Sequence, residues 1–85
     1  MRSEKEDLGR RCLDVFREFP LECHVGGSLN MKNFWAKFAQ FGWGNPTDIA
    51  DGLEFAISQN WIERTDKGVF TLTETGLREI NLNRY

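Results

Sequence analysis

The segment that most constrains the fold spans residues 45–76, where signals for a helix, a hairpin and another helix follow one another. Asn45 can accept a hydrogen bond at the start of a helix, and Pro46 suits the first helical position, where its missing N–H would have no partner. Asn60 can adopt the left-handed conformation that ends a helix. Between them, apolar side chains recur at helical spacing, at Ile49, Leu53, Ala56 and Ile57. We therefore predict a helix over residues 46–59.

A two-stranded hairpin is predicted directly after this helix. Residues 61–65 and 69–72 each have the composition of a short strand. The Asp66-Lys67-Gly68 segment between them is typical of a hairpin turn. Thr73 then lies where it can cap a final helix.

Two further helices are predicted in the first half of the chain. Ser3 and Glu6 have the spacing of a capping box, and Pro20 ends the helix that they begin. Its apolar face consists of Leu8, Cys12, Val15, Phe16 and Phe19. The second helix begins after Ser28 or Asn30 and ends at Gly42. Its apolar side consists of Met31, Phe34, Phe38 and Phe41.

The connector between these two helices has the alternation of an edge strand. Leu21, Cys23 and Val25 alternate with polar residues, and Gly26-Gly27 frees the backbone for a turn. We therefore predict a connector over residues 21–27 that can include a short edge strand. The Gly-Gly pair is not a phosphate-binding loop, because no Lys-Ser or Lys-Thr follows it.

Composition limits the class of protein. The chain has 85 residues, which is enough for a single domain over residues 1–85, and 40% of them are hydrophobic. Its net charge is −2, whereas a typical nucleic-acid binder is basic or has a basic face. No apolar run is long enough for a membrane span, and the N-terminal MRSEKEDL lacks the apolar core of a secretory signal. We expect a cytoplasmic protein with no membrane partner and with Cys12 and Cys23 reduced.

Catalytic and metal-binding chemistry is disfavoured by spacing. His24 is the only histidine, and with the two cysteines it gives three candidate ligands without a C-x-x-C pair, whereas structural zinc takes four. Cys23 and His24 are adjacent, so on an extended chain they point to opposite faces and cannot act as nucleophile and base. The carboxylates of the predicted third helix lie on an exposed face without a concave pocket. We therefore expect no enzyme activity, no metal and no cofactor.

The predicted order of elements is helix, short strand, helix, helix, two strands and helix. This order, together with the segment GLEFAISQNWIERTDKGVFTLTETG, resembles the winged helix-turn-helix superfamily. The matching features are Asn60 at the end of the third helix, Trp61-Ile62 at the start of the wing, and the Leu72-Thr73-Glu74-Thr75-Gly76 segment that closes it. The resemblance covers about half the chain in detail and indicates no subfamily. It implies a mainly helical fold with a small β-hairpin.

The same resemblance implies a DNA-binding transcriptional regulator that could work as a homodimer. The third helix would then enter the major groove of double-stranded DNA, and the hairpin would contact the adjacent backbone. The candidate DNA contacts are polar or basic residues of the second helix, the third helix and the hairpin: Lys32, Lys37, Thr47, Ser58, Gln59, Arg64 and Lys67.

The charge of the third helix favours a different partner. Its predicted outward face contains Asp48, Asp51 and Glu54 and has no Lys or Arg, although affinity for DNA comes largely from neutralising phosphates. The alternative is a protein-interaction module on the same scaffold, since exposed aromatic residues are enriched at protein interfaces. Its candidate contacts are Asp48, Asp51, Glu54, Phe55, Trp35, Phe41 and Trp43. Trp43 can instead pack back under its loop. Both hypotheses remain open at this stage.

Overall fold

The computed structural model describes residues 4–66 and 68–82. Within them the protein is mainly helical, with a small antiparallel sheet. The helices are α1 (Glu4–Arg17), α2 (Met31–Phe41), α3 (Pro46–Ser58) and α4 (Glu74–Leu82), and the strands are β1 (Ser28–Asn30), β2 (Ile62–Asp66) and β3 (Val69–Leu72). The predicted helices and hairpin are confirmed to within a few residues. Ser3 of the predicted capping box and Lys67 of the predicted turn lie outside the described residues.

The ends of the helices form for the reasons that the sequence indicates. Asn30 and Asn45 each accept a hydrogen bond from the backbone N–H three residues on, in reciprocal capping boxes. Gly42 and Asn60 adopt left-handed conformations, with φ of 66° and 62°, just after α2 and α3. Thr73 caps α4, because its hydroxyl oxygen accepts a hydrogen bond of 3.0 Å from the Gly76 N–H.

The sheet has the strand order β1-β3-β2, so β3 pairs with both other strands. Leu29 lies opposite Phe70 in one ladder, and Ile62 lies opposite Leu72 in the other. All four of these side chains are buried against the helices. A bulge between Arg64 and Asp66 interrupts the β2–β3 register near the turn.

The expected strand at Leu21, Cys23 and Val25 is wrong. Pro20–Glu22 forms a 3-10 helix, and the strand begins later, at Ser28. The Cys23 N–H donates to the Pro20 carbonyl instead of to a neighbouring strand. The chain joins the sheet only at Gly26-Gly27, which exchange hydrogen bonds of 2.9 and 2.8 Å with Leu72. Leu21, 87% exposed, therefore faces solvent and not a sheet neighbour.

Small residues bring α1 and α3 into close contact. A Cβ atom on Gly52 of α3 would lie 2.6 Å from the Leu8 carbonyl oxygen of α1, so only glycine fits there without a backbone shift. The Cys12 thiol lies beside Gly52 and donates to the Ile49 carbonyl over 3.9 Å. The side of α3 that faces α1 is consequently committed to the core, and only its other side is free for a functional role.

Candidate functional site

The outward face of α3 is polar and acidic. Thr47, Glu54 and Ser58 are exposed on it, and Asp51 is half-buried. No Lys or Arg occurs in α3. Lys5 of α1 brings a cation to this face: its Nζ lies 3.9 Å from a Glu54 carboxylate oxygen, and both side chains are more than half exposed. Such a surface pair is weak, so it leaves the acidic character of the face largely intact.

Three of the predicted contact residues on α3 already have partners within the helix and its neighbours. The Asp48 carboxylate accepts the Asn45 N–H at 3.0 Å, so it completes the capping box. The Ser58 hydroxyl donates to the Phe55 carbonyl at 2.7 Å. The expectation that Phe55 points into solvent is wrong: its ring is half-buried and packs edge-on against Trp61, with the ring centroids 5.5 Å apart. Phe55 therefore belongs to the margin of the core.

An apolar groove lies beside the acidic face, between α3 and the hairpin. It has a volume of about 340 Å³, and its apolar lining consists of Met31, Ala50, Leu53, Ile57 and Phe70. Leu53 and Phe70 are almost fully buried and form its floor, whereas Ile57 is 38% exposed at the rim. The sequence pattern groups Ile57 with the core residues of α3, but its side chain opens onto this groove. The groove is therefore an apolar surface that the fold leaves in contact with water.

The two rims of the groove carry opposite charges. Glu54 lies on the α3 side, and Arg64 of β2 lies on the hairpin side. Arg64 is exposed and forms no ion pair within the part of the chain that the structure describes. The Met31 N–H donates to the Gly68 carbonyl at 3.2 Å, which places the start of α2, and with it the backbone of Lys32, next to the hairpin turn. Lys32 is also exposed, and among the described residues it has no ion-pair partner.

The predicted aromatic candidates do not form one cluster. Phe41 and Trp43 stack with their centroids 4.8 Å apart, and Trp43 also packs edge-on against the buried Phe38. Trp43 thus folds back against the core, which is the alternative left open by the sequence. Trp35 is 51% exposed and contacts neither ring of that pair. The Lys37 ammonium lies 5.3 and 5.8 Å from the centroids of the Phe19 and Phe41 rings, so its charge is partly satisfied there.

Two buried or half-buried groups of the described chain have shifted pKa values, and both lie outside the groove. Burial raises the pKa of the Cys12 thiol far above its usual range, so this thiol stays protonated in the core. Burial also raises the pKa of the Asp14 carboxyl, although the neighbouring Arg17 guanidinium opposes that shift. Neither group lines the groove. Within residues 4–66 and 68–82, no three His, Cys, Asp or Glu side chains come together in an arrangement that could hold a metal ion.

The groove is the part of the site that sequence reasoning missed. Met31, Ala50 and Phe70 line it together although they come from α2, α3 and β3. The sequence signal for the groove is that Ala50 and Ile57 are two turns apart on α3, at the boundary between its apolar and polar faces.

No helix in the described part of the chain has both the length and the apolar composition of a membrane span.

The chain was compared with protein-family models, with curated proteins and with solved structures, and none of the three comparisons gave a match.

Proposed function

We propose that this protein is a non-catalytic winged helix-turn-helix module that binds another protein on the face formed by α3 and the β2–β3 hairpin. The winged-helix assignment is supported by the order of elements, with one strand between the first two helices and a hairpin between the last two. It is also supported by the antiparallel pairing of β1 with β3, which joins the hairpin to the first half of the chain. A fold alone does not define a partner, so the partner is argued from the surface.

One observation carries the choice of a protein partner: an exposed apolar groove next to a helix face that has carboxylates and no basic residue. Phosphates of a duplex would meet Asp51 and Glu54 on this face, and the cost would rise as salt is lowered. A protein surface can instead bury Ile57 and Ala50 and satisfy Glu54 with a cation. The described lining contains no Ser, Cys or His that could act as a nucleophile or base, which favours binding over catalysis.

Site-specific photocrosslinking tests the proposal. A photoreactive amino acid replaces Ile57 in the groove of the full chain, and a matched variant has it at the exposed Arg78 of α4, which does not line the groove. In lysate of the source cell, we expect adducts from position 57 that survive nuclease treatment, contain peptides of a second protein by mass spectrometry, and are absent from position 78. Nuclease-sensitive adducts from position 57, or identical adducts from both positions, would contradict a protein partner at the groove.

Double-stranded DNA is the second candidate, and the unpaired cations favour it. Lys32 and Arg64 are exposed beside the hairpin turn without ion-pair partners among the described residues. Phosphate contacts from these residues would make binding to random duplex DNA weaken linearly with salt on a log–log plot. The Lys32→Ala, Arg64→Ala double variant should then reduce both the affinity and the slope. If random duplex DNA does not bind even at low salt, this candidate is excluded.

A further inference from the structure

We propose that the groove between α3 and the hairpin holds an amphipathic α-helix of the partner, with an acidic flank facing Arg64 and a basic flank facing Glu54. This inference rests on the proposed function and specifies the chemistry of the bound segment. It follows from three features of the groove: its apolar floor, the sheet surface that forms one wall, and the opposite charges of its rims.

The floor and rim of the groove suit side-chain anchors. Leu53 and Phe70 close the bottom, and Ala50 and Ile57 lie one above the other along α3. At about 340 Å³ the groove is at the small end of the range for ligand pockets. A bound helix needs to insert only its apolar side chains, at positions i, i+3 or i+4, and i+7, while its backbone stays outside.

The wall of the groove favours docking through side chains over strand addition. Arg64 and Phe70 lie opposite each other in the β2–β3 ladder, so their side chains share one face of the sheet and line the groove from that face, whereas the unpaired backbone of β2 lies along its outer edge. A peptide strand needs free backbone N–H and C=O groups in one row, which an edge supplies and a face does not. A helix satisfies its own backbone hydrogen bonds and can dock through side chains alone.

The charges on the two rims define the orientation of the helix. Arg64 on the hairpin rim has no ion-pair partner among the described residues, so a carboxylate of the bound helix can pair with it. Among the described residues, Glu54 on the α3 rim pairs with the exposed Lys5 at 3.9 Å, a pair that a closer cation can replace. Asp51 lies about one turn before Glu54 on α3 and adds negative charge next to it, although it does not line the groove. A helix with acidic residues on one flank and basic residues on the other matches both rims in one orientation only.

Selection from a displayed library tests this inference. The probe is a yeast-displayed library of amphipathic helical 16-mers with randomised apolar and flanking positions, and the bait is the labelled full chain. We expect enriched peptides with large apolar residues at i, i+4 and i+7, an acidic flank and a basic flank. Their binding should fall at least tenfold on the Ile57→Glu bait. On the Arg64→Glu bait, selection should enrich peptides whose formerly acidic flank has become basic.

Three results would overturn the inference: no enrichment over the Ile57→Glu bait, enriched peptides without helical spacing of apolar residues, or displacement of the enriched peptides by random duplex DNA at low salt. Circular dichroism and thermal unfolding confirm that each bait is folded, and the exposed Arg64→Ala variant serves if Arg64→Glu unfolds. The two experiments together separate a failure of this inference from a failure of the proposed function. Nuclease-resistant adducts from position 57 that contain a second protein, together with an unsuccessful library, mean that a protein binds the groove through a segment that is not an amphipathic helix.

Discussion

The two sides of α3 differ in how completely the rest of the protein covers them. On the side facing α1, Gly52 lies so close to the Leu8 carbonyl that a single added Cβ would clash. On the side facing the hairpin, Ile57 and Ala50 border a groove that is open to water. The proposed function rests on this contrast: the inner side packs against the core, and the outer side is proposed to bind a partner.

The close contact at Gly52 on the inner side is expected to have a large effect on stability. In Gly52→Ala, the new methyl group would lie 2.6 Å from the Leu8 carbonyl oxygen and 2.9 Å from the Cys12 sulfur. Because the backbone carbonyl cannot rotate away, α1 and α3 must shift apart. We expect the free energy of unfolding to fall by about 2–3 kcal/mol despite the better helix propensity of alanine. Urea unfolding measures this loss.

Gly9→Ala is the matched control for that contact. Its Cβ would lie 2.8 Å from the edge of the Phe55 ring, which is a side chain that can shift. It should cost less than Gly52→Ala. Equal stability of the Gly52→Ala variant and the unmodified protein would mean that the two helices are not packed as closely as described.

Phe55 lies at the margin between the two sides of α3, and its truncation should destabilise the protein somewhat less than Gly52→Ala. Since its ring is half-buried against Trp61 and α1, we expect Phe55→Ala to cost about 2 kcal/mol, below the 3–5 kcal/mol of a fully buried ring. Thermal unfolding followed by circular dichroism measures it. An unchanged melting temperature would mean that Phe55 is exposed, and it would again be a candidate contact for a partner.

The acidic outer face should affect DNA affinity much more than stability. The Asp51→Lys, Glu54→Lys double variant turns the face basic, and we expect it to bind random duplex DNA with a steeper salt dependence than the unmodified protein. Its free energy of unfolding should change by only about 0.5 kcal/mol, because the Lys5–Glu54 pair that it removes is exposed. Fluorescence anisotropy measures the affinity. Loss of existing DNA binding in this variant would contradict the repulsive role given to the carboxylates.

Labelling of the two cysteines measures how often the α1–α3 contact opens, without any substitution. Cys12 is fully buried at the α1–α3 contact with a raised pKa, whereas Cys23 is half-buried in the connector. A thiol reagent should therefore label Cys23 in the native protein and label Cys12 only when the two helices separate. Mass spectrometry of the labelled peptides over time compares the two rates directly. Comparable rates would show that the α1–α3 contact opens readily.

The ends of the helices could be predicted from the sequence because they depend on local chemistry. Asn30, Asn45, Gly42 and Asn60 act within a few residues of their own position, and each behaves as its residue type indicates. The strand after α1 could not be placed this way. Alternation at Leu21, Cys23 and Val25 is a weak signal, and the pairing that places the strand at Ser28 depends on β3, more than forty residues later.

The candidate site was predictable in its charge and not in its shape. The carboxylates of α3 can be counted from the sequence, but the groove needs three elements that are distant in the chain to meet. The misplacement of Phe55 and Ile57 has a related cause. Both lie near the boundary of the apolar face, and the neighbours of each decide its burial: α1 and Trp61 cover Phe55, whereas nothing in the described chain fully covers Ile57. Helical periodicity alone does not contain that information.

The most direct test of the account compares Leu53→Ala with Ile57→Ala, two aliphatic truncations one turn apart on α3. Leu53 is 3% exposed and Ile57 is 38% exposed, so the free energy of unfolding should fall by about 2–5 kcal/mol for the first and by less than about 1 kcal/mol for the second. A loss of more than about 2 kcal/mol for Ile57→Ala would show that the groove residue is part of the core. That result would contradict the proposal that the outer side of α3 binds a partner.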